Sequence, residues 1–268
     1  IIPTPAFGLY ESIVKLLRGV PVYLPTEKNR YQIDPEALRA AITDKTKAVI
    51  LTSPNNPTGC IYTRETLDAI HEILVDKPIF VFCDDVYREL VYTEEYHSFS
   101  EYQDMRDRII VIQAFSKPYA MTGWRVGYLI GPQDVMDRLL LLHAAEVAAV
   151  PTFVQSACVE ALKTDVAPMR EEYRARRDYV IARLKAMGLS FPEPKGAFYI
   201  FVDISSFSMP GEVFCERMIR EAGVAAVPGS CFGAEGYIRL SYCYSDGELQ
   251  RGLDRLEAFI STLEGGKT

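Results

Sequence analysis

The stretch "AFSKPYAMTGWRVGY" (residues 114–128) places a lysine and an arginine, eight residues apart, between two strand-like runs. "IIVIQAF" (109–115) precedes it, and "RVGYLIG" (125–131) overlaps its end. A solvated loop would explain both charges, but not their position directly after an apolar strand. Ligands of open parallel sheets bind beyond the carboxyl ends of the strands. The polar residues that follow the other predicted strands are therefore candidates for the same site.

Outward from this stretch, the first half of the chain alternates short β-branched runs with helical patterns. Strands that are apolar on both faces and separated by helices predict a mostly parallel sheet with flanking helices, an α/β arrangement. The additional predicted strands are 20–25, 47–53 and 79–84. Helices are predicted within 4–19, over 34–42 with Asp34 as N-cap, over 63–74 with Thr63 as N-cap, and over 132–143.

The second half of the chain has a different pattern. A long helical region from about 146 to 187 is interrupted at two prolines, and two strand-like runs then alternate with two helices. This order predicts a smaller α+β domain joined to the first by a long helix. We therefore predict a large domain over 1–160 and a small C-terminal domain over 161–268.

Composition excludes several classes of function. A formal net charge of -7 argues against a general nucleic-acid binder. No apolar run approaches the roughly 18 residues that a membrane span needs. The six cysteines form no C-x-x-C pair, which is typical of reduced thiols in a cytoplasmic protein. The three histidines lack the spacing of metal ligands, so we predict no metal site.

Three polar motifs follow three successive predicted strands, namely "SPNNPTG" (53–59), "CDDVY" (83–87) and "AFSK" (114–117). Each alone has an ordinary explanation, because Pro, Asn and Gly form turns, aspartates cap helices and a single lysine is usually a surface charge. Together they place an amide, a carboxylate with a phenol, and an amine at one edge of the sheet. A late arginine, Arg239, lies in the apolar run "YIRLSY" (237–242).

This ordered set closely resembles the class I/II aminotransferases of the pyridoxal-phosphate-dependent fold type I superfamily, which includes aspartate aminotransferase, and the resemblance covers residues 1 to 268. It implies pyridoxal 5'-phosphate as cofactor, transfer of an amino group from an L-amino acid to a 2-oxo acid, and a homodimer. Two alternatives stay open, a lyase or synthase on the same fold and a non-catalytic aminotransferase-like regulatory domain. A nucleotide-binding α/β protein is disfavoured, since neither of the usual glycine-rich phosphate motifs is present.

The resemblance implies catalytic roles for residues of the first three motifs. Lys117 matches the lysine that forms a Schiff base with the cofactor and moves the substrate proton. Asp84 matches the carboxylate that keeps the pyridine nitrogen protonated, so that the ring can accept electrons. Asn56 and Tyr87 match the pair that hydrogen-bonds the phenolic oxygen. Asn55, by contrast, is interpreted as turn chemistry.

Four further residues match binding positions of the family. Ser116 and Arg125 match ligands of the cofactor phosphate, for which a guanidinium supplies both charge and geometry. Phe7 lies where relatives place an aromatic ring stacked on the cofactor, although a core position explains it nearly as well. Arg239, together with Asn56, matches the group that holds the substrate α-carboxylate.

The chain also departs from the family pattern. Ala114 stands where many relatives have a small hydroxyl or glycine. "IIPTPAFGLYES" (1–12) has no initiator Met and resembles the interior of a chain, so we expect a truncated N-terminus and weak cofactor binding or impaired activity for residues 1–268 alone. Asp85 is predicted to face away from the site. The aromatic residues Tyr119, Trp124 and Tyr199 are predicted to be packing residues.

Overall fold

The structure is a computed structural model that describes residues 1–265. Its helices and strands follow the predicted alternation. The strands are β1 (Ile2–Thr4), β2 (Tyr23–Pro25), β3 (Ala48–Thr52), β4 (Phe80–Asp84), β5 (Ile109–Ala114), β6 (Gly127–Ile130), β7 (Tyr199–Asp203), β8 (Val227–Pro228) and β9 (Tyr237–Ser241). The helices are α1 (Leu9–Leu16), α2 (Pro35–Ala41), α3 (Arg64–Leu74), α4 (Gln133–Val147), α5 (Thr152–Ala161), α6 (Ala167–Ala186), α7 (Gly211–Ala222) and α8 (Asp246–Gly265).

The main sheet has the strand order β3-β4-β5-β6. Its first two pairs are parallel, and β6 returns antiparallel to β5. Strands β1 and β2 form a parallel pair beside β3, and Ile1 connects this pair to β3. The Ile1 amino group donates to the Ala48 carbonyl, and the Ile1 carbonyl accepts from the Ile50 amide. The predicted α/β class with a mostly parallel sheet is confirmed.

A second sheet, of order β7-β9-β8, is entirely antiparallel. Helices α6, α7 and α8 contribute apolar side chains to a hydrophobic cluster with this sheet, as expected for an α+β unit. Strand β8 is only two residues long and was not predicted. Three side chains from the loop after β4 also enter this cluster: Tyr87, Leu90 and Tyr92.

Capping chemistry sets two of the predicted helix starts. The Asp34 carboxylate accepts a hydrogen bond from the Glu36 amide, and Pro35 occupies the first turn of α2. The Thr63 hydroxyl accepts one from the Thr66 amide at the start of α3. Within residues 1–265, no helix combines the length and the apolar character that a membrane crossing requires.

Candidate active site

The ends of the parallel strands bring the predicted motifs to one edge of the sheet. Thr52 at the end of β3 lies in register with Asp84 at the end of β4, and Asp84 with Ile112 of β5. The loops that start at Ser53, Asp85 and Phe115 therefore leave the sheet side by side. This is the edge at which an open parallel sheet binds a ligand.

Asp84 lies at this edge with neutral partners only. The Tyr10 hydroxyl donates to its Oδ2 at 2.5 Å, and the Val86 amide donates to Oδ1 at 3.3 Å. Thr52 in turn donates to the Tyr10 oxygen at 2.9 Å. Burial raises the pKa of Asp84, and the Tyr10 hydrogen bond opposes that rise. Because no lysine or arginine of residues 1–265 pairs with it, the carboxylate favours a cationic ligand.

Asp85 is directed away from the site, as predicted. Its carboxylate is buried and accepts a 2.6 Å hydrogen bond from the Ser98 hydroxyl. Burial raises its pKa to about 6, partly offset by Ser98 and by the charge of Arg88. The carboxylate is therefore part of the protein interior.

The loop 53–60 is held rigidly by contacts of its own and of the segment before β7. The Asn55 side-chain oxygen accepts from the amide and the hydroxyl of Thr58, which is turn chemistry, as predicted. The Gly59 carbonyl accepts from the amides of Lys195 and Gly196. These bonds fix the backbone on both sides of Asn56.

Asn56 and Arg239 meet across the two sheets. The Asn56 side chain is buried and its Oδ1 accepts a 2.8 Å hydrogen bond from Arg239 Nη1. The Arg239 guanidinium lies 4.4 Å from the ring centroid of Tyr199 and 4.9 Å from that of Phe232. Its Nε is buried without a hydrogen-bond partner, and no carboxylate of residues 1–263 pairs with it. One edge of the guanidinium thus keeps donors for a carboxylate.

Tyr87 reaches the site from the loop after β4. Its hydroxyl lies 2.9 Å from the hydroxyl of Tyr199, and both side chains are buried. Burial raises the pKa of both phenols, so both stay protonated at neutral pH. Tyr199 was predicted to be a packing residue and was left out of the predicted site. It does pack in the hydrophobic cluster of the second sheet, and its hydroxyl also contacts Tyr87, a predicted cofactor ligand.

Lys117 is partly buried in the loop after β5. Burial lowers its pKa, and the nearby charges of Arg125 and Arg239 add to the effect while Cys243 opposes it. Its Nζ lies 5.4 Å from the ring centroid of Phe198. No acidic side chain within residues 1–263 forms an ion pair with it. This lysine is therefore closer to a neutral amine than a surface lysine would be.

The remaining predicted ligands are loosely held. Arg125 is exposed, has a left-handed backbone with φ of 54°, and donates to the Thr122 carbonyl at 2.8 Å. The Ser116 hydroxyl makes no hydrogen bond with the described residues. Phe7 is 40% exposed and packs edge-on against Tyr10. Arg125 and Ser116 therefore keep hydrogen-bond donors that are available to a ligand.

Two features of this region escaped prediction. Tyr10, which donates to Asp84, follows Phe7 by three residues at the start of α1, and that helical spacing was the available signal. Trp124, predicted to be a packing residue, is 45% exposed. Tyr119 does pack, against Phe115. Within the described residues, no group of three or more His, Cys, Asp or Glu side chains is arranged to hold a metal.

Comparison with known proteins gives consistent results. Residues 1–256 match the model of the family described as aminotransferase class I and II. The chain is 40% identical over 265 residues to a probable N-acetyl-LL-diaminopimelate aminotransferase of Bacillus subtilis, covering 97% of this chain and 67% of that protein. It is 39% identical over 269 residues to aromatic-amino-acid aminotransferase 2 of Thermococcus litoralis, covering 97% and 69%.

A solved structure gives the same result for the fold. The crystal structure of aspartate aminotransferase from Thermotoga maritima superposes with a TM-score of 0.92 at 37% identity. The match covers 97% of this chain and 69% of that one. The relatives differ in their named amino donors but share one reaction type.

Proposed function

Because this chain belongs to the class I and II aminotransferase family, we propose that the candidate site at this edge of the sheet binds pyridoxal phosphate and a substrate α-carboxylate through specific residues. The chain is a pyridoxal-phosphate-dependent aminotransferase, which transfers an amino group from an amino acid to a 2-oxo acid. The proposed cofactor ligands are Lys117, Asp84, Asn56, Tyr87, Ser116, Arg125 and Phe7. The proposed substrate ligands are Arg239 and Asn56.

The groups left without partners fit this cofactor. Asp84 is a carboxylate without a cation and suits a protonated ring nitrogen. Lys117 is an amine of lowered pKa and suits an aldehyde. Arg125 and Ser116 have free donors and suit a phosphate. Tyr87 is a neutral phenol beside Asp84 and suits an anionic ring oxygen.

Lys117 is the proposed proton carrier. When bound, pyridoxal phosphate supplies a conjugated ring that accepts the electron pair left as the substrate Cα–H bond breaks. The Lys117 Nζ, as a neutral amine, accepts the Cα proton. Burial and the charges of Arg125 and Arg239 all favour the neutral form. The observation that carries the proposal is the position of Lys117 in the loop after β5, without an ion-pair partner among residues 1–263, and its lowered pKa supports it.

Arg239 orients the substrate. Its Nη1 is occupied by Asn56, and the rings of Tyr199 and Phe232 flank the guanidinium. Rotation of the guanidinium is therefore restricted, and the unpartnered Nε is part of a fixed edge that can donate to both oxygens of one carboxylate. Fixing the carboxylate limits how the Cα–H bond can point, which favours proton transfer to Lys117.

The amino donor, assembly and location are finer proposals. The differing donors named for the relatives support an enzyme for aspartate-like or broadly aromatic and aliphatic amino acids. Large exposed apolar side chains on α4 and α5 support a homodimer, among them Leu141 and Phe153. Six free cysteines support a cytoplasmic location. Separate hydrophobic clusters support the division near residue 160, although Tyr87, Leu90 and Tyr92 join the C-terminal cluster.

A donor panel tests the function directly. The cofactor-loaded protein is assayed with single L-amino acids and 2-oxoglutarate, and we expect product glutamate with at least one donor class. Arg239→Lys is expected to raise KM for that donor about tenfold or more, because an ammonium cannot make the bidentate contact. Arg220→Lys, at an exposed arginine on α7, is the matched control and should leave KM unchanged. An unchanged KM in Arg239→Lys would contradict the assignment of Arg239.

A further inference from the structure

We infer that Tyr199 is a positioning residue that holds the Tyr87 hydroxyl and the Arg239 guanidinium in a fixed relation to each other. The inference rests on the proposed function, in which Tyr87 binds the cofactor and Arg239 binds the substrate. Tyr199 touches both groups, one with its hydroxyl and one with its ring face. It therefore links the two halves of the site without itself needing to contact either ligand.

The strand register explains why Tyr199 can reach Arg239. In the antiparallel pair of β7 and β9, Tyr199 lies opposite Ser241, and Phe201 lies opposite Arg239. Opposite residues share a face of the sheet, and residues two apart on one strand share it as well. Tyr199 and Arg239 are thus diagonal neighbours on one face, which places the guanidinium 4.4 Å from the ring centroid.

The hydroxyl of Tyr199 acts on Tyr87. The two oxygens are 2.9 Å apart and buried, and burial raises the pKa of each phenol, so two protons are available for one shared contact. If Tyr199 donates to the Tyr87 oxygen, the proton of Tyr87 remains free for an external acceptor. A phenol that accepts a hydrogen bond is also a better donor, because hydrogen bonds in a chain polarise one another.

The ring of Tyr199 acts on Arg239. A guanidinium within about 6 Å of an aromatic centroid is attracted to the ring face, and the attraction grows when both are shielded from water. Tyr199 and Phe232 both contribute, with their centroids 4.4 and 4.9 Å from the guanidinium carbon. The hydroxyl and the ring of Tyr199 therefore have separable effects, one on the cofactor side and one on the substrate side.

Two substitutions separate these effects. Tyr199→Phe removes the hydroxyl and keeps the ring, whereas Tyr199→Leu removes both. Tyr102→Phe is the matched control, because it removes another phenol hydrogen bond, the 2.5 Å bond to Asp68, which involves none of the proposed site residues. Each purified variant is titrated with pyridoxal phosphate for its dissociation constant. The pH midpoint of the absorbance change of the bound cofactor and KM for the amino donor are also measured.

For Tyr199→Phe we expect a dissociation constant raised about three- to tenfold, the range of one lost hydrogen bond, with KM changed by less than about twofold. The absorbance midpoint should move to higher pH, because weaker donation from Tyr87 stabilises the anionic ring oxygen less. Tyr199→Leu should additionally raise KM about tenfold. A Tyr199→Phe variant that matches wild type in both dissociation constant and midpoint would overturn the inference.

Tyr87→Phe separates failure of this inference from failure of the proposed function. If Tyr87→Phe leaves the midpoint unchanged, Tyr87 is not a cofactor ligand and the proposed function of that residue fails. If Tyr87→Phe shifts the midpoint and Tyr199→Phe does not, only the role of Tyr199 fails. In the Tyr87→Phe background, Tyr199→Phe should cause no further shift, and two full additive shifts would also overturn the inference.

Discussion

The loop 53–60 and the loop 114–125 both carry family motifs, yet the protein holds them very differently. The first is almost entirely buried, and its backbone bonds to the segment before β7 through Gly59. The second is exposed at its end, where Arg125 bonds only to the Thr122 carbonyl through its side chain. The loop 53–60 is held by contacts with the rest of the protein, whereas the loop 114–125 has polar groups that remain free.

This difference matches what each loop is proposed to hold. Asn56 in the buried loop fixes Arg239, which must recognise each incoming substrate in one orientation. Lys117, Ser116 and Arg125 are proposed to hold a cofactor that stays bound through many cycles, so the ligand itself can order their side chains. We therefore expect substitutions in the buried loop to change stability, and substitutions in the exposed loop to change cofactor affinity.

The largest expected effect is a pH dependence of stability beside the buried loop. Asp85 lies near Tyr96, whose hydroxyl donates to the Ser53 carbonyl. The pKa of Asp85 is about 6 in the folded protein, above the reference value of 3.8 that applies to the unfolded chain. The native state therefore binds the proton more tightly. The full contribution of this group to the free energy of unfolding is about 3 kcal/mol. It is present below about pH 4 and is lost as the pH rises through about 6.

Denaturant unfolding of wild type and Asp85→Asn at pH 4 and pH 7 measures this loss. The free energy of unfolding of wild type should fall relative to that of the variant by about 2 kcal/mol over this interval, because the unfolded carboxyl is already partly ionised at pH 4. Asp44→Asn, at an exposed position, serves as the control. A wild-type-minus-variant difference that is the same at both pH values would show that Asp85 does not titrate as described.

A second prediction concerns the contact between the buried loop and the segment before β7. A Cβ at Gly196 would lie 2.4 Å from Cγ of Pro54, a ring that cannot move aside. Gly196→Ala should therefore lower the free energy of unfolding by about 1–3 kcal/mol, the usual range for overpacking. Gly252→Ala in α8 meets nothing within 4 Å and should instead stabilise the protein slightly, by at most about 1 kcal/mol. Equal free energies of unfolding for the two variants would show that the contact between Gly196 and Pro54 is not rigid.

A third prediction concerns the exposed loop. Arg125→Ala should raise the dissociation constant of pyridoxal phosphate about tenfold, because one charge-assisted contact to the phosphate is lost and solvent weakens it. The unfolding midpoint of the cofactor-free protein should stay unchanged, since Arg125 is exposed. Arg138→Ala, another exposed arginine, should change neither quantity. A lower unfolding midpoint for Arg125→Ala without loss of affinity would reverse the comparison of the two loops.

The smallest expected effect is at Ser116. Its hydroxyl has no hydrogen bond to the described residues, so Ser116→Ala should not change the stability of the cofactor-free protein. The dissociation constant of pyridoxal phosphate should rise about two- to fivefold, within the range of one neutral hydrogen bond. An equilibrium titration followed by cofactor fluorescence measures this dissociation constant for Ser116→Ala and for wild type under the same conditions. An affinity equal to wild type would exclude Ser116 as a phosphate ligand.

The sequence predicted most of the fold because its signals are local. Strands and helix caps are recognised from neighbours within a few residues. Examples are the apolar runs that end at Asp84 and Ala114 and the N-caps Asp34 and Thr63. Strand β8 was missed because two residues are too few for a periodic pattern.

The site was predicted less completely, for a physical reason. The Tyr10–Asp84 bond spans 74 residues and the Tyr87–Tyr199 contact spans 112, so neither has a local sequence pattern. The position of Tyr199 depends on the register between β7 and β9, which its own run "GAFYIFVDI" does not contain. Tryptophan is a large aromatic residue that is usually packed against others, but the position of Trp124 in its loop leaves it exposed.

The most direct test of the account is identification of the lysine that binds the cofactor aldehyde. The protein is loaded with pyridoxal phosphate, reduced with borohydride to fix the linkage, digested and analysed by peptide mass spectrometry. We expect one modified site, Lys117, and no fixed cofactor in Lys117→Ala, whereas Lys195→Ala should retain the full adduct. Modification at a different lysine, or an undiminished adduct in Lys117→Ala, would contradict the assignment of the catalytic amine.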